Sequence, residues 1–114
     1  MSAHTDRFVI ERLPPPELLP EFRFDRPEFC YPERLNAGAE LIDRAIASGW
    51  GERPAILFPG GKWTYSELAC MANRAAAVLR EDFGLAPGAR VLLRGTNGPM
   101  LAAFWLAVWR NVRG

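Results

Sequence analysis

The chain has 114 residues, enough for one small domain or part of one, since a domain of this size buries about two-thirds of the surface its unfolded chain exposes. Fourteen Lys and Arg residues nearly balance thirteen Asp and Glu residues, so no long-range field favours nucleic acid or an anionic membrane as a partner. Cys30 and Cys70 are far apart, form no metal-binding pair and follow no apolar leader, which predicts reduced thiols in a cytoplasmic protein.

Residues 1–34 are predicted to form an extended, Pro-rich N-terminal arm. Prolines at positions 14, 15, 16, 20, 27 and 32 block both helix hydrogen bonding and central strand pairing. The arm contains aromatic residues that fit two alternatives, an arm lying over a larger body and a flexible leader, and the sequence leaves both open. These aromatics are Phe22, Phe24, Phe29 and Tyr31.

A helix is predicted over residues 37–48. Asn36 is its expected N-cap, because an Asn side chain accepts from the first free amides. Glu40 and Arg44 are one turn apart and are expected to pair, and Gly49 is expected to end the helix. Four apolar residues should share its buried face: Leu41, Ile42, Ala45 and Ile46.

A β-hairpin and a second helix are predicted next. Gly60 and Gly61 tolerate the turn conformation between two β-prone runs, residues 55–58 and 62–65. Thr64 and Glu67 have the spacing of a capping box, so the second strand should lead directly into a helix. Its predicted buried stripe is Leu68, Met71, Ala72, Ala75, Val78 and Leu79, its predicted outer face is Asn73, Arg74, Arg80 and Glu81, and Gly84 is expected to close it.

Residues 90–94 are predicted to form a third strand after a turn at Pro87 and Gly88. Their continuously apolar centre is typical of a strand covered on both faces, as in parallel sheets. A last helix follows, with Thr96 or Asn97 as its cap and Pro99 in its first turn. The order strand, helix, strand, helix predicts an α/β fold with an incomplete sheet.

The last helix is apolar around most of its circumference, with no charge before Arg110. It is shorter than the roughly 20 residues that a membrane span needs, so we expect protein to cover it. Either the chain is part of a larger protein or it self-associates. The residues we expect to be covered by such a remainder or second copy include Phe104, Trp105 and Trp109, within the apolar set Met100, Leu101, Phe104, Trp105, Leu106, Val108 and Trp109.

No residue is predicted to be catalytic, cofactor-binding or metal-ligating. The turn at residues 95–98 joins a predicted strand to a helix, but it lacks both the dinucleotide and the P-loop glycine patterns, so a structural cap is favoured over a phosphate site. His4 has no ligand neighbour at metal spacing, and Ser48 and Ser66 have no nearby base. Lys62 is interpreted as a hairpin charge, and the acidic residues Glu11, Glu81 and Asp82 as solvated charges. Core packing is the favoured role of Trp63, Trp105 and Trp109, ahead of a ligand platform.

Six segments in order resemble the N-terminal part of adenylate-forming acid–CoA ligases, from about Leu35 to Arg110. They are residues 41–44 (LIDR), 53–56 (RPAI), 63–68 (WTYSEL), 73–76 (NRAA), 85–93 (LAPGARVLL) and 104–108 (FWLAV). The stretch 90–97 and the Trp-rich helix are most similar to the benzoate and 2-aminobenzoate CoA ligases. Residues 35–114 would then be the N-terminal α/β portion of the large AMP-binding domain.

The resemblance implies a reaction that the matching residues do not themselves perform. Members of the family use ATP, Mg²⁺ and CoA to convert a carboxylate to an acyl-adenylate and then to an acyl-CoA. Their phosphate loop, ribose-binding Asp and catalytic lysine have no counterpart in these 114 residues, so the chain alone is expected to be inactive. The alternative hypothesis is a small α/β binding or adaptor module that docks through its Trp-rich helix.

The last four residues, 111–114, depart from the family pattern. The ligases continue with a small residue and glycines into another buried strand, whereas here the sequence Asn-Val-Arg-Gly follows. We therefore expect the intact relative of this gene to continue with a Gly-containing turn, a buried strand and a Ser/Thr/Gly-rich phosphate loop. A shortened gene product, a frameshift and a deliberate truncation are all compatible with this sequence.

Overall fold

The computed structural model describes Phe8, residues 10–32 and residues 35–110. Two strands, β1 (Pro54–Phe58) and β2 (Gly61–Thr64), and two α-helices, α1 (Tyr65–Glu81) and α2 (Pro99–Arg110), form its body. A π-helical segment, residues 37–50, precedes them and contains the π-helices Ala39–Asp43 and Ile46–Trp50. Helices with a two-stranded antiparallel sheet are compatible with the predicted α/β class.

The described part of the arm is extended and exposed, with three short 3₁₀ turns: Ile10–Arg12, Pro16–Leu18 and Pro27–Phe29. Phe22 and Phe24 stack on each other, with ring centroids 6.3 Å apart. Phe8 lies between the guanidinium groups of Arg12 and Arg90, at 4.2 and 4.3 Å from its ring centroid. The division of the chain after residue 34 remains a prediction, because residues 33 and 34 lie outside the described residues.

The first predicted helix is present but is largely π-helical. Asn36 caps it, since its Oδ1 accepts from the Ala39 amide at 3.0 Å, and Glu40 pairs with Arg44. Gly49 has φ of +82°, which interrupts the right-handed helix as predicted.

The buried face predicted for this helix is wrong at Leu41. The Arg44 amide donates to the carbonyl of Ala39, five residues earlier. This wider turn shifts side chains from their 3.6-residue positions. As a result Leu41 is 53% exposed, while its neighbour Ile42 is 1% exposed and lies in the core.

The β-hairpin is confirmed, with its turn one residue earlier than predicted. β1 and β2 pair antiparallel with Phe58 opposite Gly61, so Gly61 belongs to the second strand. Gly60 has φ of +99°, a conformation that favours glycine. The Phe58 and Trp63 rings meet edge to face, with centroids 6.4 Å apart, and both side chains are half-buried.

Helix α1 begins and ends where the sequence predicts. The Thr64 hydroxyl accepts from the Glu67 amide at 3.2 Å, and the Glu67 carboxylate accepts from the Thr64 amide at 2.8 Å, which completes the capping box. At the other end Gly84 has φ of +61°, and the Leu85 amide donates to the Leu79 carbonyl.

The buried side of α1 is rotated toward its alanines. The prediction is right for Leu68, Ala72 and Ala75, but Val78 is exposed and the stripe is completed by Ala69 and Ala76. The reason is that α2 packs against the small residues, where the two helices approach closely. The predicted outer face of Asn73, Arg74, Arg80 and Glu81 is exposed.

The predicted third strand is wrong: among the described residues, 90–94 pair with no other strand. The turn before it is confirmed, with φ of +86° at Gly88 and a hydrogen bond from the Ala89 amide to the Ala86 carbonyl. A strand of a parallel sheet needs a neighbour, but the two described strands pair with each other as a hairpin. Leu92, predicted to be buried, is 92% exposed.

The core lies between α1, α2 and the π-helical segment. Ala72 of α1 and Ala103 of α2 are fully buried, and Leu68, Leu106 and Ile42 are buried beside them. A second cluster continues along the same helix pair and consists of Ala75, Ala76 and Ala107.

Thr64→Ala should lower the free energy of unfolding by about 1 kcal/mol, because it removes the hydroxyl that accepts from the Glu67 amide. Thr64→Ser keeps an accepting hydroxyl and should stay close to the parent chain. Urea denaturation followed by far-UV circular dichroism measures both variants. Equal stability of the Ala and Ser variants would contradict the capping role.

Candidate functional site

The most distinctive surface is the outer side of α2, which we call the tryptophan face: Trp105 and Trp109. Trp105 and Trp109 are 47% and 43% exposed, and their rings meet edge to face with centroids 5.7 Å apart. Ala103, Leu106 and Ala107 occupy the buried side of the same helix. The predicted uncovered apolar surface on α2 is therefore confirmed, and Phe104, predicted to share it, is half-buried.

A polar cluster holds the C-terminal end of α2. Arg110 donates to Asn73 of α1 at 2.7 Å between Nη1 and Oδ1, and it pairs through Nη2 with Asp43 of the π-helical segment. Asn36 donates from Nδ2 to the carbonyl of Trp109 at 3.3 Å. We call Asn36, Asp43, Asn73 and Arg110 the Arg110 cluster.

Sequence reasoning missed the Arg110 cluster. Its members lie in three separate segments, and Asn73 was assigned only to an outer face. The one available signal was that Arg110 is the first charge in an otherwise apolar helix. Such a charge needs a polar partner wherever the helix end is buried.

The turn at residues 95–98 does not have the geometry of a phosphate-binding nest. Such a nest alternates right-handed and left-handed backbone conformations, and no residue of this turn has a positive φ. The Gly98 carbonyl accepts from the amides of Leu101 and Ala102, so Gly98 precedes the helix in the cap position. The predicted cap at Thr96 or Asn97 is therefore displaced to Gly98, while Pro99 is in the first turn as expected.

The remaining candidate residues occupy ordinary structural positions. Lys62 is exposed in β2 opposite Leu57, and the Ser48 hydroxyl donates to the Arg44 carbonyl at 2.8 Å. The Ser66 amide donates to the Gly51 carbonyl at 3.0 Å. Cys30 and Cys70 are both free thiols and exposed.

The part of the chain that the structure describes contains neither a metal-binding group of side chains nor a membrane-spanning helix. No three His, Cys, Asp or Glu side chains there are grouped so that they could hold a metal ion. His4 lies outside the described residues. No described helix has the length and apolar character to cross a membrane.

An open groove of about 510 Å³ lies between the arm and the π-helical segment. Glu28 and Tyr31 of the arm line one part of it, and Arg44, Trp50 and Tyr65 line another. Trp50 and Tyr65 meet edge to face at 6.2 Å, and Arg53 lies over the Trp50 ring. Arg44 pairs with Glu40 at the groove, so its charge is already matched within the chain.

Residues 43–111 match the family of AMP-binding enzymes. Because this match covers more than half of the chain, the chain belongs to that family. The matched region contains the hairpin, α1, the segment 90–94 and α2.

Its curated relatives are ligases that act on aromatic acids. The chain is 40% identical over 72 residues to a benzoate–CoA ligase of Thauera aromatica, a match that covers 63% of this chain and 14% of the relative. It is 37% identical over 78 residues to a 3-hydroxybenzoate–CoA/4-hydroxybenzoate–CoA ligase of the same organism, covering 68% of this chain and 15% of the relative. A 3-hydroxybenzoate–CoA ligase of Aromatoleum sp. (strain CIB) is 33% identical over 76 residues, or 67% of this chain and 14% of the relative.

The chain thus spans about one-seventh of the length of the curated relatives that it matches. No solved structure gives a significant match. The aromatic-acid branch of the family, which the resemblance implies, is the branch in which these relatives fall.

The two sides of α2 should respond differently to substitution. Leu106→Ala removes a buried side chain and should lower the free energy of unfolding by about 2–5 kcal/mol. Trp105→Gln changes an exposed position, so it should alter the free energy of unfolding by about 0.5 kcal/mol or less. It should also weaken the binding of an apolar dye to the tryptophan face. Urea denaturation and dye fluorescence on both variants make the comparison. A larger loss of stability for Trp105→Gln than for Leu106→Ala would reverse the assignment of the two sides.

Proposed function

We propose that this chain is the N-terminal part of the large domain of an ATP-dependent aromatic acid–CoA ligase, and that it is inactive alone. The observation that carries the proposal is the identity of one-third or more with three ligases for benzoate or hydroxybenzoates. The acid itself would be an aromatic carboxylate such as benzoate or 2-aminobenzoate. The proposed location is the cytoplasm.

In this proposal the chain contributes scaffold rather than chemistry. The hairpin leads through the Thr64 capping box into α1, and α1 in turn supports α2 across the alanine-lined contact. Two surfaces remain for the rest of the domain, which are the segment 90–94, where the described residues form no strand pairing, and the tryptophan face of α2. The remainder of the ligase would supply a strand beside residues 90–94 and an apolar cover for Trp105 and Trp109.

The ligase would use ATP, Mg²⁺ and CoA, and the described residues do not fit these groups. The 95–98 turn has no left-handed residue to shape a phosphate nest, and no carboxylate cluster of metal-binding size is present among the described residues. ATP supplies the adenylate that turns a poor electrophile, the carboxylate, into one with a good leaving group. We place the residues that bind ATP, Mg²⁺ and CoA outside this chain.

The adaptor hypothesis assigns the tryptophan face to a different protein instead. Under that hypothesis the 114-residue chain should be monomeric and should unfold in one sharp transition, because an independent module needs no further domain. Under the ligase proposal the same chain should be poorly soluble and should self-associate through its uncovered apolar surface. Analytical ultracentrifugation and thermal unfolding of the chain distinguish the two.

The chain alone should not catalyse exchange of pyrophosphate into ATP with either benzoate or 2-aminobenzoate. The physical reason is that the turn at residues 95–98 lacks the shape of a phosphate nest, and the described residues contain no group of side chains that could hold a metal ion. The assay is radiolabelled pyrophosphate exchange, with an intact benzoate–CoA ligase as the positive control. Exchange clearly above a protein-free blank would contradict the inactive-scaffold proposal.

A chimera tests whether the scaffold belongs to a ligase. Residues 43–111 of this chain would replace the matching segment of the Thauera aromatica benzoate–CoA ligase, and the chimera should fold and keep benzoate–CoA ligase activity. Trp105→Glu in the chimera should reduce the yield of folded enzyme, because it buries a charge against the rest of the domain. Lys62→Glu, at an exposed hairpin position, is the control and should have little effect. A soluble, folded and inactive chimera would contradict the proposal.

A further inference from the structure

We infer that the Arg110 cluster is a positioning device that fixes the C-terminal end of α2 on the π-helical segment and α1. By holding this end, the cluster sets the direction in which α2 presents its tryptophan face. The importance of that direction for a ligase rests on the proposed function, whereas the clamp itself rests only on the contacts within this chain.

The Arg110 side chain joins three parts of the chain. Its Nη1 donates to Asn73 of α1, 37 residues away in sequence, and its Nη2 pairs with Asp43, 67 residues away. Because the two acceptors lie on different elements, both contacts form only when α2 has one position relative to both. The guanidinium of Arg110 therefore links α2 to both α1 and the π-helical segment.

A second contact holds the backbone at the same end of the helix. Asn36 accepts from the Ala39 amide through Oδ1 and donates from Nδ2 to the Trp109 carbonyl at 3.3 Å. The side-chain amide group of Asn36 thus caps the π-helical segment. It also binds one of the carbonyls that every helix C-terminus leaves without an intrahelical partner. The carbonyl that it holds belongs to a residue of the tryptophan face.

Gly38 allows this close approach. A Cβ atom at position 38 would lie 3.2 Å from Cγ of Arg110 and 3.4 Å from the Leu106 carbonyl oxygen. Both distances are tighter than, or at the limit of, ordinary contacts, so a side chain here would require Arg110 to shift by a few tenths of an ångström. The absence of a side chain at Gly38 therefore lets Arg110 lie in its position within the cluster.

Burial makes the Arg110 cluster more sensitive than an ordinary ion pair. The Arg110 side chain is 17% exposed and its partner Asp43 is 46% exposed, whereas Arg44 is 73% exposed and its partner Glu40 is 28% exposed. The Nε atom of Arg110 is buried and has no acceptor among the described residues, so the guanidinium depends on Asp43 and Asn73. Exposed ion pairs contribute little, whereas the Arg110 guanidinium is largely shielded from water, so losing one of its partners should cost more than losing the partner of Arg44.

A double-mutant cycle on the 114-residue chain tests the clamp. Asp43→Ala and Arg110→Met should each lower the urea midpoint, and the double variant should lower it no further than the more severe single one. Glu40→Ala and Arg44→Met form the matched control, because they remove the same two chemical groups from a pair whose guanidinium is exposed. The control shifts should be small and additive. Additive shifts for Asp43 and Arg110 as well would overturn the inference.

A spectroscopic measurement separates positioning from simple stability. The near-UV circular dichroism band that Trp105→Phe removes reports the Trp105–Trp109 ring pair under native conditions. Asn36→Asp keeps an oxygen that caps the Ala39 amide but removes the donor to the Trp109 carbonyl, so it should weaken this band, and Arg110→Met should weaken it too. Glu40→Ala should leave it unchanged. An unaltered band in both test variants would overturn the inference, even if the chain does not unfold cooperatively.

The two proposals fail separately. An inactive chimera together with a coupled Asp43–Arg110 cycle would contradict only the ligase function. An active chimera together with an uncoupled cycle and an unaltered tryptophan band would contradict only the clamp.

Discussion

Close packing of alanines between α1 and α2 is the constraint on which the rest of the structure depends. Ala72, Ala103 and Ala107 are fully buried, and small side chains at these positions let the two helices approach closely. Because the small residues of α2 face α1, its tryptophans necessarily face away from it. The same contact brings Arg110 to Asn73 and leaves Ile42 to close the core from the π-helical segment. The alanine contact between α1 and α2 thus determines both which side of α2 lies in the core and which side is exposed.

Features set by local chemistry could be predicted from the sequence, whereas features that depend on distant partners could not. The Thr64 capping box, the Asn36 cap and the glycines at positions 49, 60, 84 and 88 each follow from a few neighbouring residues. The strand predicted at residues 90–94 failed because its pairing needs a neighbouring strand, and periodicity alone cannot show whether one is present. The exposure of Leu41 and the Arg110 cluster were missed for related reasons. The first depends on π-helical bonding, and the second joins residues from three segments.

Residues 90–94, predicted to form a strand, and the tryptophan face of α2 both expose apolar side chains to water. An apolar segment with Leu92 almost fully exposed and an apolar helix with two half-exposed tryptophans are both costly in water. Both lie within the region that matches AMP-binding enzymes, and the curated relatives are about seven times longer than the matched stretch. We therefore interpret these surfaces as interfaces within a ligase domain, held in position by the alanine contact and the Arg110 cluster.

Hydrogen exchange of the amides in residues 90–94 tests this account most directly. The measurement compares the 114-residue chain with the benzoate–CoA ligase chimera that contains residues 43–111, using mass spectrometry of peptides that cover the segment. The account predicts rapid exchange in the 114-residue chain, where these residues pair with no strand, and strong protection in the chimera, where a neighbouring strand accepts their hydrogen bonds. Equal exchange in the two proteins would contradict it, because the segment would then gain no partner from the remainder of a ligase.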